Sequence, residues 1–185
     1  MARWHFHTLA VAAATIATVV PSTPAGAGEL PSHEQWLADT AKAMYGSRAF
    51  VGDRVEQGGT KLAANFDIDN TSLQTKYAPG QPVPVVLRFA KYARAHGVTL
   101  LFNTGRERTK LRAITRQLRA AGYVATEVCG RKAGESLVHS KQRCRQHFVD
   151  EGYTIIANVG NRDTDLVGGN YERGYKLPDY GKALS

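Results

Sequence analysis

The chain has 185 residues, of which 43% are hydrophobic and 22% charged, so its size and composition fit one globular domain and exclude a disordered chain. Its 24 Lys and Arg residues outnumber 16 acidic residues, and the net charge of +8 makes anionic partners plausible. Two cysteines are too few for a four-cysteine zinc site or a disulfide-rich scaffold.

The first 27 residues have the features of a secretory signal peptide. Arg3 precedes an apolar run from Leu9 to Val20, and Ala25-Gly26-Ala27 forms a small-x-small cleavage site. The run has 12 residues, whereas a membrane span needs about 20. We therefore predict cleavage near Ala27 and a secreted or periplasmic mature protein without a membrane segment.

Export leaves two interpretations of the cysteines open. Cys129 and Cys144 lie 15 positions apart and could close one disulfide in an oxidising compartment. They could equally be two small buried side chains that never meet.

The rest of the chain, residues 28–185, alternates helices with apolar strands. A helical leader at about 32–58 comes first, because Ser32 and Gln35 fit a capping box. The apolar runs predict strands at 61–66, 98–102, 123–128, 153–159 and 174–177, and the helical spacings predict helices at 84–96, 109–121 and 141–151. This alternation predicts a single doubly wound α/β domain, with helices on both faces of a parallel sheet.

Polar side chains cluster near the predicted strand ends, where ligands bind in such sheets. Asp67 and Asp69 follow the first strand, Thr104 follows the second, Lys141 precedes the fourth, and Asn161, Asp163 and Asp165 follow that strand. Two carboxylates that face a third form an all-oxygen cluster suited to Mg²⁺. A lysine and a hydroxyl nearby could hold a phosphoryl group against the metal.

These motifs resemble the haloacid dehalogenase (HAD) superfamily of phosphatases. The resemblance depends on four features in this order: the sequence DIDNT after an apolar strand, Thr104, a lysine, and GNRDTDL after a strand. The segment YTIIANVGNRDTDLVGG and the residues after it are similar to secreted acid phosphatases of the class B and plant vegetative-storage type, HAD subfamily IIIB. The similarity covers residues 33 to 185.

The resemblance implies a role for each residue at the strand ends. Asp67 would be the nucleophile, Asp69 the general acid and base, and Thr104 a hydrogen-bond donor to the phosphoryl oxygen. Lys141 would neutralise charge on Asp67 and phosphate, and Asp165 would bind Mg²⁺ together with the Asp67 carboxylate and the backbone carbonyl of Asp69.

One position departs from the family pattern. Asn161 stands where many relatives have Asp, and its amide oxygen would bind Mg²⁺ without contributing charge. Alternatively, Asp163 compensates from the same turn.

The loops around the predicted site are short. Neither 71–84 nor 129–140 can hold a cap domain, so we expect an open cleft and broad use of exposed phosphomonoesters, nucleotides among them. Tyr77 could stack on a substrate or be an exposed tyrosine without a role. Five bases near the strand ends could steer anions or be ordinary surface charge: Lys76, Arg106, Arg108, Arg131 and Lys132.

Two other functions compete with a Mg²⁺-dependent acid phosphatase. One is a binding or storage-type protein of the same fold with weakened catalysis. Asn161 is the only residue that suggests it, since Asp67 and Asp69 are both present. A nucleic-acid-binding domain is disfavoured, because no dense basic cluster with interleaved aromatic residues is found.

Overall fold

The computed structural model describes Met1, residues 30–181, Ala183 and Leu184. The predicted signal peptide therefore lies, apart from Met1, outside the described residues. None of the helices in the described part is both long enough and apolar enough to span a membrane.

Five parallel strands form one sheet in the order β3-β2-β1-β4-β5. The strands are β1 (Leu62–Phe66), β2 (Thr99–Glu107), β3 (Glu127–Arg131), β4 (Thr154–Gly160) and β5 (Arg173–Lys176). The helices are α1 (His33–Ala43), α2 (Ser47–Glu56), α3 (Pro84–Ala95), α4 (Leu111–Ala120), α5 (Leu137–Asp150) and the short α6 (Asp163–Leu166). The predicted doubly wound parallel sheet is confirmed.

The strand order reverses at β1. From β1 the chain proceeds outwards to β2 and β3, and it then returns to pair β4 with the other side of β1. The crevice between the ends of β1 and β4 is thus the switch point at which doubly wound sheets bind ligands.

Both faces of the sheet are buried, as parallel sheets require. The larger core contains Phe66, Phe89 and Leu118 beneath α3 and α4, whereas a smaller cluster with Leu101 and Phe148 lies beneath α5. All five residues of β1 are buried; four are apolar, and the fifth, Asn65, donates to Asn158 Oδ1 on β4 at 2.6 Å.

The helical leader forms two helices, which Gly46 separates with a positive φ of 74°. Three other predicted boundaries were wrong. The third strand begins at Glu127 instead of residue 123, since the backbone N–H of Tyr123 closes the end of α4 on Leu118. β2 continues to Glu107, so Thr104 lies within the strand. α5 begins at Leu137, because the Ser136 hydroxyl caps it by accepting from the His139 N–H.

Candidate active site

A cavity of about 320 Å³ opens at the carboxyl ends of β1 and β4. Five of the predicted site residues line it: Asp67, Asp69, Lys141, Asn161 and Asp165. Thr104 is buried beside it and does not line it. The structure therefore brings together residues that are up to 98 positions apart in the chain.

Asp67 is fixed by the backbone and by its own loop. Its N–H donates to the carbonyl of Val159 on β4 at 2.8 Å, and its carbonyl accepts from the Ser72 hydroxyl at 2.7 Å. The Thr71 hydroxyl donates to Asp67 Oδ2 at 2.9 Å. Burial, together with the nearby charge of Asp165, raises the pKa of Asp67 to about 6, although Lys141 acts in the opposite direction. This carboxylate is held in one orientation, and a positive charge beside it favours its ionised form.

Lys141 provides one such charge from the second turn of α5. Its Nζ contacts the carboxylate of Asp67 and lies 2.8 Å from Asp165 Oδ1. The same nitrogen donates to the backbone oxygen of Asn103 at 3.1 Å and to its side-chain oxygen at 3.2 Å. Burial would lower the pKa of Lys141, but the charges of Asp67 and Asp165 reverse this effect and raise it. Lys141 is therefore a cation locked between two carboxylates.

Asp165 reaches the site from α6, immediately after β4. Its Oδ2 accepts from the backbone N–H of Arg162 at 2.9 Å, and only 2% of the residue is exposed. A Cβ at Gly160 would lie 2.3 Å from the Cβ of Asp165, so this position tolerates only glycine. The glycine allows the turn after β4 to bring Asp165 against the end of the sheet.

Asn161, rather than Asp163, faces the cavity. Asn161 is 2% exposed, and its Oδ1 accepts from the Thr71 hydroxyl at 3.3 Å. The Asp163 side chain is 89% exposed and points towards Lys176, 3.5 Å away. In this structure, therefore, Asn161 lines the cavity and Asp163 does not.

Asp69 points to a different partner from Asp67. Its carboxylate forms a two-pronged ion pair with Arg106, whose Nε donates to Asp69 Oδ2 at 2.9 Å. The hydrogen bonds to Asp69 outweigh the effect of burial and raise the pKa of Arg106. Of the five bases suggested as anion-steering, Arg106 alone lines the cavity, and it does so while paired to a carboxylate.

Two other predicted residues have partners within the fold. The Thr104 hydroxyl accepts from the backbone N–H of Arg106 at 3.1 Å, so it supports the irregular end of β2 that carries Arg106. Tyr77 stacks on His33 and Trp36 of α1, and its hydroxyl donates to the carbonyl of Pro31 at 2.6 Å. Tyr77 thus fastens the leader to the loop after β1.

Three supporting residues were missed by sequence reasoning: Thr71, Asn103 and Arg145. Arg145 is fully buried, and it donates to the carbonyls of Asp165 at 2.8 Å and Gly169 at 3.1 Å. It lies one turn after Lys141 on α5, and this i, i+4 spacing on a helix is the signal that could have identified it.

A disulfide joins Cys129 on β3 to Cys144 on α5. Cys129 pairs in register with Asn103, which holds Lys141, and Cys144 lies three residues after Lys141. Both ends of the crosslink therefore adjoin the residues that fix the cation of the site.

The donor set at the cavity fits a hard divalent cation. Asp67, Asp165 and Asn161 offer oxygen ligands, which Mg²⁺ prefers. Asp165 Oδ1 is buried, and its partner in the described part of the chain is Lys141 Nζ at 2.8 Å. Only two of these donors are carboxylates, and within residues 30–181 no group of three or more His, Cys, Asp or Glu side chains forms a metal cluster.

Comparison with known proteins identifies a family and similar solved structures. The family model of the HAD superfamily, subfamily IIIB (acid phosphatase), matches residues 76–183. The fold is similar to that of the class C acid phosphatase from Bacillus anthracis, with a TM-score of 0.66, 15% identity and coverage of 81% of this chain and 80% of that chain. The same enzyme with tungstate bound aligns with a TM-score of 0.65, at the same identity and coverage. No curated protein matches the sequence.

Proposed function

The chain belongs to the acid phosphatases of HAD subfamily IIIB, and from this premise we propose that it is a secreted, Mg²⁺-dependent phosphatase that hydrolyses phosphomonoesters through an aspartyl phosphate on Asp67. The observation that carries the proposal is the cluster of Asp67, Lys141 and Asp165 at the switch point of the sheet. The matched family region begins at residue 76, so Asp67 is proposed as the nucleophile on the DIDNT motif and on its position beside Lys141.

Asp67 would attack the phosphorus atom, and its new O–P bond would replace the bond to the ester oxygen. Asp69 would give its proton to the departing alkoxide. A water molecule, losing a proton to Asp69, would then attack phosphorus and release inorganic phosphate and Asp67. Such covalent catalysis divides one difficult displacement into two easier steps.

The Mg²⁺ ligands would be the side chains of Asp67, Asp165 and Asn161 and the backbone carbonyl of Asp69. Lys141 would add a positive charge beside them. Bound Mg²⁺ would supply the positive charge that offsets repulsion between the Asp67 carboxylate and the phosphate. Lys141 already touches the nucleophile, so it is placed to neutralise the transferring phosphoryl group.

Asp69 can act as an acid in two ways: after its ion pair with Arg106 has broken, or while the pair is intact. The Asp69 side chain is 37% exposed, so water can replace the guanidinium without burying an unpaired charge. Once Asp69 is released, Arg106 could contact a phosphate oxygen at the cavity that it lines.

Hydrolysis of p-nitrophenyl phosphate tests the proposal. We expect turnover with Mg²⁺, loss of turnover with EDTA, and no turnover in Asp67→Asn under any condition. Asp163→Asn removes an exposed carboxylate two residues from Asp165 and should retain activity. A folded wild-type protein without turnover in Mg²⁺ would support the binding or storage alternative, for which the uncharged Asn161 is the argument.

Export is the second part of the proposal. It rests on the signal-like residues 1–27 and on the Cys129–Cys144 disulfide, which suits an oxidising compartment. Expression in a bacterial host, followed by N-terminal sequencing of protein from the periplasm or medium, should give a start near Gly28. Retention of the intact chain in the cytoplasm would contradict it.

A further inference from the structure

The positive charge of this protein is concentrated on two segments. Arg88, Lys91 and Arg94 lie on α3, and five further bases lie within residues 108–120: Arg108, Lys110, Arg112, Arg116 and Arg119. Neither segment contains Asp or Glu. The remaining chain holds sixteen basic and sixteen acidic residues, so these eight bases account for the entire net charge of +8.

The two segments share one side of the sheet. α3 joins β1 to β2 and α4 joins β2 to β3, and two right-handed crossovers that proceed in the same direction place their helices on the same face. Leu87 of α3 also lies against Gly122 at the end of α4, where an added Cβ would be 3.7 Å from it. We call the surface formed by these eight bases the basic face; Arg88 lies at its border with α1 and α2, and Arg108 at its border with β3.

The bases of this face lack counter-ions. All eight are exposed, and none forms an ion pair or a side-chain hydrogen bond with any residue in the described part of the chain. Some bases elsewhere are paired: Arg54 with Glu172, and Arg143 with Glu135. The basic face is therefore complementary to an external surface of negative charge.

An apolar groove lies within the same face. It is a cavity of about 480 Å³ between α3 and residues 122–124, lined by Leu87, Ala90 and Tyr123, with Lys91 and Arg94 among the lining residues. Val124, 51% exposed, lies at its edge. Cationic side chains around the exposed Val124 and the half-buried Leu87 suit the boundary between phosphate headgroups and acyl chains.

The aromatic side chains of this face are not free to stack on nucleic-acid bases: Phe89 and Tyr123 are buried, and Tyr92 is half-buried and stacks on His96. The mixture of apolar and basic groups therefore favours a bilayer over a nucleic acid.

We propose that the basic face docks the protein on a bilayer surface that carries anionic phosphate headgroups. Each Lys or Arg near such a surface contributes about 1 kcal/mol, so several bases together give appreciable binding that added salt weakens. The catalytic cavity opens at the carboxyl edge of the sheet, beside this face, and would stay accessible in the docked protein.

Co-sedimentation with vesicles tests the proposal. Protein recovered after export is mixed with vesicles of phosphatidylcholine, with or without phosphatidylglycerol. We expect binding only to the anionic vesicles and its loss as salt is raised. The triple variant Arg112→Gln, Arg116→Gln, Arg119→Gln should bind about one hundred-fold more weakly.

A matched triple variant distinguishes binding through the basic face from binding through the net charge of the protein. Lys42→Gln, Lys76→Gln, Lys132→Gln removes the same charge from exposed positions outside the basic face and should keep most of the binding. Urea midpoints of both variants confirm folding. Failure of the wild type to bind anionic vesicles, equal losses in both triples, or binding to duplex DNA without binding to vesicles would each overturn the proposal.

Discussion

The site contains two ion-paired groups that differ in their access to water. Lys141, Asp67 and Asp165 form a buried group with side-chain exposures of 4%, 8% and 3%, whereas the pair of Asp69 and Arg106 at the rim has exposures of 37% and 31%. A buried charge that loses its partner is costly, while an exposed pair exchanges with water at little cost. The buried group is therefore suited to hold a fixed nucleophile, and the rim pair to release a residue that must move protons.

The difference also appears in what surrounds each group. Lys141 is held by Asn103 as well as by its carboxylates, and the Cys129–Cys144 disulfide anchors the helix that carries it. Arg106 has one further contact, a hydrogen bond of 3.1 Å to Gln117 on α4. Rigidity is thus concentrated beneath the cavity and decreases towards its mouth.

Replacing Lys141 should break the buried group and produce the largest effect. Lys141→Met leaves two buried carboxylates without their cation, and we expect the free energy of unfolding in EDTA to fall by about 3–5 kcal/mol. Activity should be lost as well. Urea denaturation measures the first effect, and Lys42→Met, at an exposed position on α1, is the control.

A second variant shows whether the loss arises from unpaired charge. Adding Asp67→Asn and Asp165→Asn to Lys141→Met removes the stranded carboxylates and should restore much of the stability. A Lys141→Met protein as stable as the wild type would show that the buried pairs do not matter to the fold.

Asp69→Asn tests the rim pair, and it should separate catalysis from stability. We expect kcat to fall by about 10² to 10⁴, the usual contribution of general acid–base catalysis, while the free energy of unfolding changes by less than about 1 kcal/mol. The loss should be smaller for p-nitrophenyl phosphate than for an alkyl phosphate, because a good leaving group needs less protonation. Equal losses on both substrates would argue that Asp69 does not protonate the leaving group.

The sequence predicted the fold and most of the site because both depend on patterns along the chain. Apolar strands, glycine-terminated helices and polar strand ends place Asp67, Lys141 and Asp165 at one edge of a parallel sheet. The family model confirms the resemblance to HAD subfamily IIIB acid phosphatases.

What the sequence could not predict depends on side-chain direction. Nothing in the order of residues shows that Asp69 turns to Arg106, that Asp163 faces solvent, or that Tyr77 packs under the leader. Arg145 was missed because its i, i+4 spacing from Lys141 is a weak signal, and its hydrogen bonds go to backbone carbonyls that no side-chain motif marks.

Asn161→Asp should have the smallest effect of these variants. It adds a third carboxylate to the buried group of Lys141, Asp67 and Asp165. Without metal, repulsion from Asp67 and Asp165 should lower the stability by about 1 kcal/mol, or about 2–4 °C in Tm for a chain of this size. With saturating Mg²⁺ the same carboxylate becomes a charged ligand, and Tm should exceed that of the wild type.

The gain in Tm on adding Mg²⁺ is the quantity that decides whether Asn161 belongs to the metal shell, since it does not depend on turnover. Asp163→Asn, which alters a carboxylate directed at Lys176, should leave that gain unchanged. If Asn161→Asp and the wild type gained equally from Mg²⁺, Asn161 would lie outside the shell, and its burial beside Thr71 would serve only to hold the loop after β1.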